Sequence, residues 1–291
     1  MKTRCPAFAP ESNVWLGSLE LEAKSKGTLD CYERDLRAIS DALEHLIGRR
    51  PATRDLAAVD QGVVDKLAEA WIAEPVEVST VLRRFAALRG FARHLSTKTG
   101  LDCSRLLSAT LPTMVRGQHR ALGEQDAAAM SQVGAGTDVS WLVLRNLAMF
   151  AVQSSSAVTT AELVAFNIGD LCTGSISVAN SHLLPRPAAL SATAEAAVST
   201  YLDTIPFTVN RESPLFVNCR GGRLTARSVQ VSFRQRRREL GIRTRVGPTA
   251  LRHQVGYRLA NDGHSLATLA QMLGIRPSTA ARYFEPRSDA C

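Results

Sequence analysis

Helical periodicity in the first third of the chain limits most strongly what this sequence can fold into. Two long segments place apolar side chains at alternating three- and four-residue spacing, which draws one continuous stripe along each helix. Thr28 is positioned to cap the first helix, and Ser79 is positioned to cap the second, which extends to about Ser96. With a shorter helix around Val63–Ile72 between them, residues 12–107 are predicted to form a helical domain.

The remainder of the chain mixes helices with a few short strands. Residues 108–121 contain a proline, a glycine and three basic residues but few apolar anchors, so we interpret them as a linker. Residues 122–291 then form a second domain, in which 175–191 has the pattern of a β-hairpin with Asn180-Ser181 near its tip. We predict a mostly α fold with a small β-sheet (α+β), in two domains that follow an N-terminal tail of residues 1–11.

The charge balance favours a polyanionic partner. The net charge is +8 and the pI is about 9.5, but charge alone does not separate nucleic acid from an anionic membrane surface. No apolar stretch reaches the roughly 18 residues of a membrane span, and residues 1–15 lack the apolar core of a secretory signal. We therefore expect a cytoplasmic, nucleoid-associated protein with no membrane partner.

The six cysteines show no metal-binding spacing. None belongs to a CxxC pair, so we expect reduced, mostly buried thiols, no metal site and no cofactor. The cysteines are Cys5, Cys31, Cys103, Cys172, Cys219 and Cys291.

Arginine is concentrated in the second domain. Eleven arginines lie between Arg211 and Arg252 and are opposed only by Glu212 and Glu239, a local excess of nine positive charges. The planar guanidinium suits phosphate recognition, so we expect DNA or RNA contact here. On the helix that Ser79 begins, the basic residues off the apolar stripe form either a solvated face or a phosphate-contacting face. The candidate DNA-binding residues are Arg83, Arg84, Arg89, Arg93, Lys98, Arg223, Arg227, Arg234, Arg236, Arg237, Arg238 and Arg245.

The last forty residues contain the most specific motifs. Thr249–His253 has the sequence TALRH, Met272–Ile275 has the sequence MLGI, and Tyr283 follows. This series resembles the C-terminal signature of the tyrosine recombinase (phage integrase) family, Xer-like, in which HxLRH, LLGH or LLGW, and a tyrosine occur in order. The segment LRNLAMFAVQSSSAVTTAELVAFNIGDL resembles the family's R-x-x-L-L-x-T-G-L-R-x-S-E-L segment, and the resemblance extends over residues 12–286.

The resemblance implies both a fold and a reaction. It implies that residues 12–107 form the family's helical core-binding (SAM-like) domain and that residues 122–291 form its catalytic-fold domain. In this family a tyrosine hydroxyl attacks a DNA phosphate and forms a covalent 3′-phosphotyrosyl link. Two arginines stabilise the transition state, a lysine and a histidine transfer protons, and a second histidine or a tryptophan completes the site. Because the pKa of tyrosine is about 10, attack requires its deprotonation.

Two of the family's six catalytic positions are kept in this sequence. Tyr283 matches the nucleophile, and Arg252, which is followed by His253, matches the second arginine. Tyr283 is interpreted either as a residual nucleophile or as a packed aromatic residue on a short helix. Arg252 is a phosphate contact under either interpretation.

The other four catalytic positions are changed. No arginine lies between Arg145 and Arg186, and no lysine lies beyond Lys98, so shifting the alignment does not restore either residue. Removing one charge-stabilising donor typically lowers a rate by about 10²–10³, so efficient strand cleavage is not expected. The changed positions are Thr159 for the first arginine, Ser181 for the lysine, Thr249 for the first histidine and Ile275 for the second histidine.

Three functions remain open from the sequence. The first is a DNA-binding protein on the recombinase scaffold, with weak or absent strand cleavage and an accessory recombination, regulatory or replication/partition role. The second is an active site-specific recombinase with substitutes such as Arg145, His182, Arg186 or His253. The third is a helical protein that binds RNA or an acidic protein. The expected partner is double-stranded DNA, bound by a homo-oligomer or by a hetero-assembly with an active recombinase.

Two expectations follow from these hypotheses, one about the geometry of the site and one about DNA affinity. Arg252 and Tyr283 should approach one phosphate position, with Thr159, Thr249 and Ile275 lining the rest of the pocket without charge. Truncating any one of three neighbouring arginines should weaken DNA binding and flatten its salt dependence. These three are Arg236, Arg237 and Arg238.

Overall fold

The computed structural model divides the chain into two compact units, Met1–Gly117 and Gln118–Cys291. The division falls inside the segment 108–121 that we interpret as a linker. Within the described residues, no helix is long and apolar enough to cross a membrane. The structure describes residues 8–24, 26–114, 120–133, 139–179 and 185–285.

The first unit is helical, and its core is built around one central helix. That helix, α4, buries its apolar face from Val81 to Leu95, as its periodicity predicts. Trp71 and Phe85 pack edge to face in this core, with ring centroids 4.9 Å apart. The helices are α1 (Glu11–Leu21), α2 (Lys26–Ile47), α3 (Gln61–Ala73), α4 (Val78–Thr99) and α5 (Ser104–Ser108), with a 3-10 turn at Thr53–Ala58.

Both long helices of this unit begin earlier than their predicted caps. They start at Lys26 and Val78, so Thr28 and Ser79 lie inside the first turn, and the cap predictions are wrong. In α4 the first main-chain hydrogen bonds already reach the carbonyl oxygen of Glu77, which closes the turn without a side-chain cap. The hydrophobic period therefore locates each helix, whereas main-chain hydrogen bonding decides its first residue.

The second unit packs helices against a small antiparallel sheet, which confirms the predicted mostly α fold. Its core lies between α7, α9 and the sheet, where Phe150 and Tyr201 are fully buried. The elements are α6 (Glu124–Met130), α7 (Trp141–Ser156), α8 (Thr160–Ala165), β1 (Leu171–Cys172), β2 (Ser175–Val178), β3 (Arg186–Ala189), α9 (Ala192–Thr204), α10 (Ala226–Glu239), α11 (Thr249–Asn261), α12 (Leu266–Leu273) and α13 (Pro277–Ala280), with 3-10 turns at Ile168–Asp170 and Ala281–Tyr283.

The predicted hairpin is formed by β2 and β3. The strand order is β1-β2-β3, and Val178 pairs with Arg186 at the end of the hairpin next to its loop. The predicted tip, Asn180-Ser181, lies outside the described residues. This register matters for the site, because it places Arg186 on the inward face of β3, where it is buried.

Candidate functional site

Arg252 lies in the first turn of α11 and is only 6% exposed. Its guanidinium donates hydrogen bonds to the main-chain oxygens of Ala157, at the end of α7, and Leu273, at the end of α12. Ala157 has a φ of 53°, the left-handed conformation that glycine adopts most readily. Burial lowers the pKa of Arg252, and nearby Glu162 opposes that shift. Arg252 thus joins three helices through main-chain oxygens.

A buried carboxylate faces Arg252 from α8. Thr159 and Glu162 form a capping box, in which the Thr159 hydroxyl accepts from the Glu162 amide at 3.1 Å and Glu162 Oε2 accepts from the Thr159 amide at 2.7 Å. The same Oε2 lies 3.8 Å from Arg252 Nη1. Thr159, the residue that the resemblance matches to the family's first arginine, therefore caps α8 and supplies no positive charge.

Arg186 on β3 completes a buried charge cluster of Glu162, Arg186 and Arg252. Arg186 Nη1 donates to Glu162 Oε1 at 3.0 Å, and its Nε donates to the main-chain oxygen of Met272 at 3.2 Å. Burial raises the pKa of Glu162, but the hydrogen bonds from Arg186 and the Thr159 amide, together with the positive charges of Arg186 and Arg252, lower it by more. The net pKa therefore lies below its usual value. One carboxylate thus serves two guanidinium groups, and the cluster keeps one net positive charge. The prediction for this pocket named only the uncharged residues Thr159, Thr249 and Ile275, and it did not include the Arg186–Glu162 ion pair that the fold brings beside Arg252.

Tyr283 lies in the last 3-10 turn and is only 5% exposed. Its hydroxyl is 2.8 Å from His253 Nδ1. The ring packs directly on Gly256, where a Cβ would lie 2.5 Å from Tyr283 Cε1, and it meets Tyr257 edge to face, with ring centroids 5.1 Å apart. Sequence reasoning missed this contact, although a glycine inside the pattern of α11 is a signal for close approach.

Burial raises the pKa of Tyr283 to about 12, and the positive charge of Arg252 opposes the shift only in part. Compared with an ordinary tyrosine of pKa about 10, this lowers the tyrosinate fraction at neutral pH about 100-fold. Tyr283 is therefore a packed phenol in this structure, and its hydroxyl shares a hydrogen bond with His253.

The other changed catalytic positions that the structure describes, Thr249 and Ile275, add no charge beside Arg252 and Tyr283. Thr249 is exposed as the first residue of α11, and half-buried Ile275 packs against the apolar cluster that contains Tyr283. Ser181 and His182 lie outside the described residues. In the described part of the chain, no group of three or more His, Cys, Asp or Glu side chains is placed to hold a metal ion.

Arg145 does not join the buried charge cluster. It precedes Ala157 by twelve residues of α7, which places it about 18 Å away along the helix axis. Its Nη1 donates to the main-chain oxygen of Val217 at 2.9 Å, and its guanidinium lies over the Trp141 ring. Among the candidate substitutes that the structure describes, Arg186 and His253 are brought to the site and Arg145 is not.

We call residues 211–252, which contain the eleven arginines, the basic segment. Three of its arginines bind main-chain oxygens. Arg223 donates to three consecutive carbonyl oxygens at the end of α8, Arg236 donates to two at the end of α6, and Arg237 donates to three in the turn after α10. The carbonyl oxygens at a helix C-terminus lack main-chain partners and carry partial negative charge, so a cation is stabilising there. Arg223, Arg236 and Arg237 therefore have structural partners inside the protein, and their contact with DNA stays a prediction.

Four other arginines of the segment project into solvent. Arg227, Arg234 and Arg238 on α10, and Arg245 after it, are exposed and have no hydrogen bond or ion pair within the described residues. Offsets of seven and eleven residues place the three α10 side chains within about 40° of one another around the helix. We call Arg227, Arg234 and Arg238 the α10 arginine row.

The basic residues of α4 in the first unit divide in the same way. Arg83 pairs with a buried aspartate at 2.7 Å, Arg84 pairs with a glutamate at 2.8 Å, and Arg89 donates to a main-chain oxygen. Arg93 and Lys98 are exposed and have no such partner among the described residues. Three of the five predicted contacts on α4 thus have structural partners, and two remain fully available to a ligand.

The sequence matches known families over most of its length. Residues 137–288 match the phage integrase family, and residues 13–98 match the phage integrase N-terminal SAM-like domain. Tyrosine recombinase XerC of Methylobacterium nodulans is 30% identical over 92% of this chain and 85% of its own length. Tyrosine recombinase XerC of Rhodospirillum centenum is 29% identical over 96% of this chain and 83% of its own length.

Solved structures of recombinases share the fold. A lambda integrase dimer bound to a COC′ core site superposes with a TM-score of 0.71 at 16% identity, over 97% of this chain and 96% of that one. The XerH site-specific recombinase bound to palindromic difH substrate superposes with a TM-score of 0.68 at 18% identity, over 89% of this chain and 76% of that one.

Proposed function

The chain belongs to the phage integrase family of tyrosine recombinases, and we propose that it binds specific duplex DNA sites with weak or absent strand cleavage of its own. Weak or absent strand cleavage is supported most directly by the contacts and the burial of Arg252. Its donors are directed at Ala157, Leu273 and Glu162, and its guanidinium is buried. A phosphate clamp needs donors that face the ligand instead.

The chemistry of the remaining site supports the same proposal. Thr159, Thr249 and Ile275 supply no cation and no histidine where the family uses them. Each lost donor lowers a rate by about 10²–10³, although such losses are not additive within one site. The raised pKa of Tyr283 adds a further cost to forming the tyrosinate.

The proposal of DNA binding depends on cations that are free of internal partners. Such cations occur in both units, namely Arg93 and Lys98 on α4 and the α10 arginine row in the second unit. Two recombinases of the same fold, lambda integrase and XerH, have structures on DNA. The net charge of +8 favours the approach of a polyanion.

A second candidate function is an active recombinase with divergent partners. One observation favours it: His253 Nδ1 lies 2.8 Å from the Tyr283 hydroxyl, within reach of a proton transfer. Such an enzyme would form a covalent adduct with DNA that disappears in Tyr283→Phe.

The biological role proposed for this binding is accessory recombination, regulation, or replication and partition. The chain would act on DNA as a homo-oligomer or beside an active recombinase, at the bacterial nucleoid in the cytoplasm. An active partner would supply the strand cleavage that the changed positions of this chain disfavour.

The proposal is tested by comparing nucleic acids of one sequence. Fluorescence anisotropy with duplex DNA, single-stranded DNA and duplex RNA is measured across a salt series. We expect duplex DNA to bind most tightly, with a steep loss of affinity as salt rises, because bound cations displace phosphate counterions. Equal or tighter binding of duplex RNA, or affinity for duplex DNA that does not respond to salt, would contradict the proposal and favour an RNA or acidic-protein ligand.

A further inference from the structure

One apolar side chain interrupts the α10 arginine row. Val231 is 49% exposed and lies four residues after Arg227. At about 100° per residue it falls within about 60° of all three arginines of the row. Val229 and Phe233, each two residues away, lie about 160° around the helix and are buried in the core. Val231 therefore points directly away from the protein, along the same line as the free cations.

The charges along this line are all positive. The acidic residue of α10, Glu239, lies about 80° away from Val231 around the helix and pairs with Arg236 at 3.6 Å. No carboxylate of α10 therefore opposes an approaching phosphate at the row itself. A surface of this kind attracts a polyanion at both ends and presents a hydrocarbon group between them.

The dimensions of the row fit the major groove of B-DNA. Arg227 and Arg238 are eleven residues apart, which is about 16 Å along the helix axis. The major groove is about 12 Å wide and admits one α-helix, so cations at the two ends can reach phosphates on opposite walls. Val231 lies between them, where the base edges form the floor of the groove.

We propose that Val231 is a specificity-determining residue that contacts the C5-methyl group of a thymine in the bound DNA site. Thymine is the base that presents a methyl group in the major groove, and apolar side chains recognise it by direct contact. The α10 arginine row supplies affinity that is independent of sequence, whereas Val231 discriminates T·A from other pairs at one position. This inference rests on the proposed binding of duplex DNA.

The test removes the two contacting groups one at a time, first the C5-methyl group of the thymine and then the γ-methyl groups of Val231. A random-sequence duplex library is selected with the wild-type protein, and each thymine of the selected site is then replaced by deoxyuridine, which lacks only the methyl group. At one thymine the wild type should lose affinity about fourfold, the equilibrium factor for one methylene-sized group removed from an apolar contact. In Val231→Ala the same replacement should have no effect. Val139→Ala, at a comparably exposed valine (45%) outside α10, is the matched control and should keep the full loss.

The outcomes separate this inference from the function on which it rests. If no duplex is enriched and no duplex is bound, the proposed function fails and the inference fails with it. If a site is enriched but no thymine shows the loss, or if Val231→Ala retains it, the assignment of Val231 is overturned while DNA binding stands. A loss present in the wild type and in Val139→Ala but absent in Val231→Ala supports the inference.

Discussion

Replacing Arg236 and Arg238 separately by alanine distinguishes an arginine that holds the fold from one that is free to bind DNA. Both lie on α10, two residues apart. The Arg236 side chain is 14% exposed, and its Nη2 donates to the main-chain oxygens of Ala129 at 3.1 Å and Gln132 at 2.5 Å. Arg238 is exposed and has no partner among the described residues. The comparison is matched because each substitution removes the same atoms and the same charge.

The two substitutions should affect different properties: Arg236→Ala should lower the unfolding free energy, and Arg238→Ala should weaken DNA binding. Arg236→Ala removes two charge-assisted hydrogen bonds at the end of α6. Each is worth about 1.5–3 kcal/mol, but water can reach part of the site, so we expect a total loss of about 1–3 kcal/mol of unfolding free energy. Arg238→Ala should change the unfolding free energy by less than about 0.5 kcal/mol. On duplex DNA, Arg238→Ala should flatten the plot of log affinity against log salt by about 0.9, and Arg236→Ala should leave that slope unchanged.

Urea unfolding followed by circular dichroism gives the first quantity, and fluorescence anisotropy with duplex DNA gives the second. Between about 50 and about 200 mM salt, the affinity deficit of Arg238→Ala should shrink by about 3.5-fold. The reasoning is refuted if Arg236→Ala flattens the salt dependence as much as Arg238→Ala does. It is equally refuted if Arg238→Ala is the more destabilised protein.

Three further predictions test the packing of the site by urea unfolding. Ala157→Gly should raise the unfolding free energy by up to about 1 kcal/mol, because glycine relieves the left-handed strain at a φ of 53°; a decrease would contradict that strain. Glu162→Gln should lower it by about 3–5 kcal/mol at neutral pH. Because the folded-state pKa of Glu162 is depressed, this difference should be fully present above its usual pKa of 4.5. It should disappear as the pH falls through the lower folded-state pKa; a difference that does not change with pH would contradict the ion pairing. Gly256→Ala should cost about 1–3 kcal/mol through its clash with Tyr283, and Tyr283→Ala should offset part of that cost; strict additivity would show that the two residues do not meet.

The fold was predictable from the sequence because its signals are periodic and local. The stripe along α4 and the alternation in the β2–β3 hairpin each depend on residues close in sequence, and the structure confirms both elements. Their first residues were less predictable. Thr28 and Ser79 have side chains suited to capping, yet main-chain hydrogen bonds extend both helices past them.

The site was predictable in part, since a motif identifies residues but not their contacts. The spacing of TALRH and the tyrosine located Arg252 and Tyr283, but nothing local indicates that Arg186 and Arg252 share Glu162. The same limit applies to the basic segment. A count of charges treats Arg236 and Arg238 alike, whereas only the fold shows which guanidinium meets carbonyl oxygens at a helix end.

The central claim, DNA binding with little or no strand cleavage, is tested most directly by a nicked suicide duplex. Such a duplex contains the selected site and releases a short fragment after cleavage, so any phosphotyrosyl intermediate is trapped. The account predicts that the wild-type protein shifts this duplex in a native gel but leaves no adduct that survives SDS. An SDS-resistant adduct that forms with the wild type and is lost in Tyr283→Phe would contradict it.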